Sequence, residues 1–384
     1  MPPSRSATAL VAAEDPDVVV ATPLVRAPEY VEYLKAAAAG GRTTVTWIES
    51  WDNLTNKGLL HFAPERVFVW NRRQAEELER YHGVPAERAW ITGAQTFDHW
   101  FDGSRPSSRD EFSAHLEIPP ERLIVLYLGS SRQIAPSEPD FFERWLAAVR
   151  ASGDQSLREA TVLVRPHPTM IEPWAARGFE ARSGVVLSWG RNDQLNSDEF
   201  RNHYRDELHH ATVAVGLNTS GLVDAAIFGK PVCTVEPPEL FHSQRGTVHF
   251  RHLVEGDPGL LRTAPTLEEH AESLAELVHR DPYARDERSD AFVRDFIRPH
   301  GLDVTPARVF LEEMLRLCGQ PAPLHRPSVM RRIVGTALAR TAVVTGAPLE
   351  ERPLERVVAR VLAAWVIVAF RMRGRSRPLL RRTG

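Results

Sequence analysis

The sequence predicts an α/β fold of doubly wound type, and three observations carry that prediction. Short β-rich runs alternate with amphipathic stretches along most of the chain, the order that builds parallel sheets covered by helices on both faces. The stretch Val213 to Val235 condenses this into one strand–helix–strand unit. It has an apolar run of Val213, Val215 and Leu217, a polar turn Asn218-Thr219-Ser220-Gly221, and Leu222, Val223, Ala226 and Ile227 at helical spacing, then a Gly229-Lys230-Pro231 stop and a second apolar run. The run Thr161 to Val164 ends in Arg165-Pro166-His167-Pro168, where two prolines forbid helix and stiffen the exit from a strand. With 384 residues, 43% hydrophobic and 25% charged, the chain has material for two domains with ordinary cores.

In chain order, the periodicities predict a strand over Asp17 to Ala21, a helix over Glu29 to Ala39 and strands over Thr43 to Ile48 and Arg66 to Trp70. A charged helix over Arg72 to His82 and a strand over Ala89 to Thr92 follow. These form a first Rossmann-like unit, residues 1–104. No strand with a Gly-rich turn and long helix opens it, so it is expected to be partial. Residues 105–122, rich in turn formers and holding one short helix around Arg109 to Leu116, read as a linker. The second unit, 123–320, opens with a strand over Leu123 to Leu128. It continues through a helix over Asp140 to Ala151, strands over Thr161 to Val164 and Val185 to Leu187, a helix over Asp198 to His209, the unit described above, and helices from Thr266 to Leu317. Residues 321–384 read as a helical basic tail.

Three polar turns of the second unit fall at strand ends, where a doubly wound sheet opens its ligand crevice. Asn218, Thr219 and Ser220 are helix-capping residue types and Gly221 admits close approach to the backbone, so this helix start is suited to phosphate. A plain cap in a βαβ unit is the alternative. Gly129-Ser130-Ser131-Arg132 supplies hydroxyls and a cation, and Arg165 and His167 add donors from the proline-stiffened loop. In the first unit, Glu49-Ser50-Trp51-Asp52-Asn53 places carboxylates and an aromatic at a strand's carboxyl end. A capped loop with Trp47 and Trp51 in the core is the plainer reading.

These motifs resemble the nucleotide-sugar-binding half of the GT-B superfamily of glycosyltransferases and of their relative, the non-hydrolysing UDP-N-acetylglucosamine 2-epimerase. Polysialyl- and glycerophosphotransferases of surface polymers carry a similar His-Pro motif and a Ser/Thr motif, with His167-Pro168 and Thr219-Ser220 as the counterparts here. Val45 to Asp52 (VTWIESWD) sits where the epimerases have a strand ending in Glu, and Trp90 to Asp98 resembles their Thr-Gly-Asn segment. The resemblance implies a GT-B-like architecture, two Rossmann-like domains facing a cleft, with the acceptor side on the first. It implies a nucleotide-sugar donor gripped by Asn218, Thr219, Ser220 and Gly221, by Gly129, Ser130, Ser131 and Arg132, and by Arg165 and His167. Asp224 is a candidate for ribose hydroxyls, or equally a solvent-facing helix acid.

Glu49 is the leading general-base candidate because it matches the epimerase Glu. Asp52, unless it caps the segment that follows, and His167 complete the catalytic set, while Lys57-Gly58 and Gln95 to Asp98 are further residues for that side. The implied reaction is metal- and cofactor-independent glycosyl transfer to a glycan or lipid-linked acceptor of the cell envelope. Epimerisation at carbon 2 of the sugar and non-catalytic binding are the alternatives. Epimerases carry several acids around their Ser-Gly turn, whereas Leu222-Val223-Asp224-Ala225 follows here, which favours transfer.

Composition bounds the setting. Two cysteines, Cys233 and Cys318, fit a reducing compartment, and no His/Cys spacing reads as a zinc site. Asp15-Pro16-Asp17 precedes its strand, the wrong end for a metal-binding Asp pair. Met1 to Ala13 lacks a signal pattern and no apolar run approaches the ~20 residues that span a bilayer, so a cytoplasmic protein is expected. From Pro323 to Gly384 there are 13 Arg, no Lys and three Glu, a net +10, so a total of -3 leaves -13 on the preceding residues. Within that tail, Val357 to Phe370, with Trp365 and Phe370, runs into Arg371, Arg373, Arg375, Arg377, Arg381 and Arg382. An anionic membrane surface is the expected partner, with a packed helix or a nucleic-acid patch as alternatives; the acidic body speaks against nucleic acid.

Overall fold

Every strand pairing among the described residues is parallel, and the strands form two sheets. The computed structural model describes residues 2–22, 30–188, 197–256 and 259–318. The basic tail and its membrane-binding expectation lie outside these residues, as does Glu29. The first sheet is β1 (Val18–Val20), β2 (Thr43–Trp47), β3 (Arg66–Val69) and β4 (Ala89–Ile91), in that order. The second comprises β5 (Ile124–Leu128), β6 (Thr161–Arg165), β7 (Val185–Leu187), β8 (Val213–Gly216), β9 (Val232–Val235) and β10 (Arg262–Ala264). Its order, β10-β9-β8-β5-β6-β7, reverses direction between β5 and β8. A crevice must open at the carboxyl ends of those two strands.

The second sheet is apolar on both faces because both are covered. Val125, Tyr127, Val162, Val164, Val213 and Val215 point to one side, where Phe142, Trp145, Trp174 and Phe179 pack. Ile124, Leu126, Leu128, Leu163 and Ala214 point to the other, against Leu222, Ala226 and Phe250. Cys233 lies in this core, where burial pushes its thiol up to about 12 and keeps it unreactive.

Helix limits follow local chemistry. Asn71 accepts from Gln74 N at the start of Arg72–His82, and Gly83, at φ +64, ends it. Several elements were silent in the sequence, and two of them show why. Helix Arg5–Glu14, capped by Ser4, rests Ala7 and Val11 on Ala36 and Ala37; so alanine-rich a contact leaves a faint amphipathic signal. Strand β10 is three residues that continue no apolar run.

Helix Pro306–Leu317, grouped with the second unit by sequence, crosses back to the first sheet. Phe310 packs 4.6 Å from Phe68 and 5.4 Å from Trp47, ring centre to ring centre. Further ties hold the two sheets together: Asn71 Nδ2 donates to Phe296 O (2.9 Å), Ala94 N to Ile297 O (2.9 Å), and Arg298 pairs with Asp98 (2.8 Å). No helix among the described residues is long and apolar enough to cross a membrane.

Candidate functional site

The crevice between the sheets is a cleft of about 1180 Å³, lined from the first domain by the loop after β2 and from the second by the turns after β5, β6, β8 and β9. Glu49, Asp52, Ser131, Arg132, His167, Asn218, Thr219 and Ser220 line it together, although the sequence spreads them over some 170 positions. Among the described residues, no group of three or more His, Cys, Asp or Glu side chains is placed to hold a metal ion.

The loop after β2 is rigid because Asn53 Oδ1 accepts the N–H groups of both Glu49 (3.1 Å) and Ser50 (3.0 Å). Glu49 then presents its carboxylate beside Thr22, whose hydroxyl donates to it at 3.2 Å. Asp52 is held differently. Burial alone would raise its carboxyl, but the Ser50 hydroxyl (2.7 Å) and the Lys57 ammonium (3.0 Å) outweigh it and keep the group below the usual carboxylate range. Its side chain does not cap the short helix Asn53–Asn56. The Asp52–Lys57 pair therefore brings a fixed charge couple to the cleft wall.

On the facing side, His167 Nδ1 accepts Thr169 N–H at 3.2 Å and sits 2.9 Å from the Thr169 hydroxyl. Burial lowers its pKa, so the ring is neutral at pH 7, and the Nδ1 bonds assign the remaining proton to Nε2. Arg132 N donates to the same Thr169 hydroxyl (3.3 Å), which couples the turns after β5 and β6. Asn218 is buried, with Nδ2 donating to Ser243 O and lying 3.3 Å from His249 Nε2.

The expected phosphate cradle at the helix start is corrected in detail. Helix Gly221–Ile227 has Ser220 at its N-cap with helical backbone angles (φ -62, ψ -22) and no side-chain cap bond. Gly221 N is taken by Thr219 Oγ1 (3.4 Å), Leu222 N by Thr219 O (3.2 Å) and Val223 N by Ser220 O (2.9 Å). With these N–H groups engaged, the hydroxyls of Thr219 and Ser220 are what the turn brings to the cleft wall.

Five predicted grip residues stand behind the wall. Arg165 makes both bonds of its Nη1 to Glu207 (2.9 and 2.8 Å) and is clamped between Phe200 and Tyr204, 4.4 and 4.1 Å from the ring centres. Asp224 accepts from Trp100 Nε1 (2.7 Å) and Tyr204 (3.1 Å), and burial raises it to about 6. It is neither a ribose ligand nor a solvent-facing acid. Ser130 is fully buried and spends its bonds on Glu138 and Asn218. Gly129 and Gly221 are packing glycines: a Cβ on Gly129 would lie 3.0 Å from His167 N, and one on Gly221 3.1 Å from the Tyr204 hydroxyl.

Two functional-site residues escaped the sequence reading. Glu138 opens the helix Glu138–Arg150 directly behind the Ser130 turn. His249 touches both domains, edge-on to Trp51 at 5.0 Å and beside Asn218. Its burial lowers it to about 4, and its Nδ1 has no hydrogen-bond partner among the described residues. Only folding joins His249 to Trp51, and nothing in the run His242 to His249 marks it.

The sequence matches no protein-family model and no curated protein. Solved structures are similar to it in fold. A Staphylococcus aureus MnaA–UDP co-structure shares 16% identity over 82% of this chain and 79% of its own, at a TM-score of 0.50. A Listeria monocytogenes protein described as a UDP-N-acetylglucosamine 2-epimerase shares 13% over 83% and 78%, at 0.52. The chain has the two-domain GT-B/epimerase-like fold. The wall teichoic acid polymerase TagF, in a variant form, aligns with 13% identity over 78% of this chain and 74% of its own, at 0.44.

Proposed function

We propose that the protein is a metal-independent glycosyltransferase that draws on a nucleotide sugar to extend a cell-envelope glycan or a lipid-linked acceptor. The observation that carries this reading is the cleft's division of labour. One wall holds polar donors suited to a diphosphate: the Thr219 and Ser220 hydroxyls, the Arg132 turn and the Nε2–H of neutral His167. The opposite wall holds Glu49, together with Asp52 already committed to Lys57. Transfer asks for this arrangement. A fixed donor set stabilises the departing nucleoside diphosphate, and one carboxylate takes the proton from the attacking acceptor hydroxyl. In this reading His167 donates to the leaving phosphate rather than acting as the base. Inversion at carbon 2 would need a proton removed from one face and returned to the other. With Asp52 paired to Lys57, Glu49 is the carboxylate without a cation partner among the described residues of the acceptor wall.

The fold likeness to epimerases keeps epimerisation as the second reading, and product analysis separates the two. Incubation with UDP-, CDP-, GDP- and dTDP-sugars plus acceptor glycans should yield nucleotide in step with extended glycan; an isomerised nucleotide sugar would reverse the assignment. On the grip itself, Ser220→Ala and His167→Ala should each weaken calorimetric nucleoside diphosphate affinity by about 1–3 kcal/mol, the scale for hydrogen bonds to a charged partner. Undiminished affinity in both variants would remove the site from this wall. Association with an anionic membrane through the basic tail would bring the enzyme to a lipid-linked acceptor. Vesicle co-sedimentation of the full chain tests that part.

A further inference from the structure

We propose that Glu138 is a positioning residue of the donor grip, holding the turn after β5 and the turn after β8 in one register through Ser130. The inference rests on the nucleotide-sugar reading of the cleft and adds a residue that acts through Ser130. Glu138 is wholly buried, unusual for a carboxylate, at the start of the helix that backs the cleft. Its two oxygens accept Ser130 N–H (2.6 Å), the Ser130 hydroxyl (3.2 Å) and the Tyr127 hydroxyl (3.2 Å). The Ser130 oxygen in turn accepts Asn218 N–H at 3.3 Å. A single polarity runs through this chain: the Asn218 amide donates to Ser130, and Ser130 donates to the carboxylate. That polarity matches an ionised Glu138, which only accepts. A protonated acid brings its own hydrogen to the Ser130 oxygen, which reverses the Ser130–Glu138 link and leaves the buried Ser130 hydroxyl hydrogen without this acceptor.

Burial raises Glu138 to about 7, so its ionisation falls in the working range. Tyr127 from β5 and Ser130 from the turn are the groups bonded to it, and neither is charged at that pH. On its own helix, Asp140 pairs with Arg177 and Arg144 with Glu239 at the rim. His167, from the loop after β6, is neutral there. The consequence is directional: below about pH 7 the acid is protonated and the register of the two turns loosens, and above it the grip is set.

Calorimetric titration of the full chain with UDP, CDP, GDP and dTDP at pH 6 and pH 8 tests this, with Glu138→Gln as the comparison at each pH. Gln cannot ionise, so its own pH dependence reports the ligand's phosphate and the other cleft groups. For whichever nucleotide binds, the variant should be about tenfold weaker than wild type at pH 8 and nearly equal at pH 6. Ser130→Ala, which removes the middle link, should lose affinity at pH 8 likewise. Thermal unfolding of Glu138→Gln should be no lower than wild type at pH 8. The native pKa is raised from 4.5 to about 7, so this carboxyl's contribution to stability falls as pH rises through that window. A wild-type to variant affinity ratio that is one at pH 8, or the same at both pH values, overturns the proposal. Failure of the wild type to bind any of the four nucleotides overturns the donor-site reading beneath it instead.

Discussion

Glu49→Gln should lower turnover by about 100-fold or more while leaving donor affinity near that of wild type, the effect of removing a positioned general base. Such a loss corresponds to roughly 2.7 kcal/mol of transition-state stabilisation. The substitution is close to isosteric. The amide would keep an oxygen for the Thr22 hydroxyl, and the backbone of the loop is fixed independently by Asn53, so geometry survives and proton acceptance does not. Asp52 cannot stand in. Burial works against its charge, yet Ser50 and Lys57 more than offset it and hold the carboxylate poorly basic. Steady-state kinetics beside calorimetry checks the split; a variant with full turnover, or one that fails to bind donor, contradicts the role.

Arg165→Met should destabilise the fold by about 3–5 kcal/mol, the scale for removing one partner of a buried ion pair. Glu207 keeps only 2% side-chain exposure, and without Arg165 it retains a bond from the Ser188 hydroxyl. The guanidinium also fills the space between Phe200 and Tyr204, so its loss removes packing as well as charge. Urea unfolding reads the effect. A stability unchanged within about 1 kcal/mol, together with weakened nucleotide binding, would return Arg165 to the donor site where its motif suggested it belonged.

Arg165 and His167 show where sequence reading works and where it stops. The two prolines fixed a strand exit, and the strand was found where the apolar run placed it. Arg165 is the last residue of β6 and turns onto Glu207, while His167, two positions on and past the strand, lines the opening; alternation would put both on one side, so the Pro166 and Pro168 loop decides which faces the cleft. Asp224 failed for a similar reason. Helical spacing placed it on Ser220's side, but Trp100 arrives from the first domain to take its oxygen, a contact 124 positions away. The fold class itself was legible because strands buried on both faces write long apolar runs. Elements joined by small contacts, such as Ala7 and Val11 on Ala36 and Ala37, leave no such trace. Glu138 and His249 were illegible as site residues because their roles come from burial and from partners on other elements.

The most direct test of transfer against epimerisation is incubation of wild-type protein in deuterium oxide with UDP-, CDP-, GDP- and dTDP-sugars and acceptor glycans, followed by mass spectrometry and proton NMR of nucleotide and sugar. Inversion at carbon 2 breaks and remakes a carbon–hydrogen bond and draws deuterium from solvent; glycosyl transfer leaves every carbon-bound hydrogen in place. The cleft described here predicts nucleotide released in step with glycan extension and no deuterium on carbon. Recovery of intact nucleotide sugar carrying deuterium at carbon 2 would contradict it.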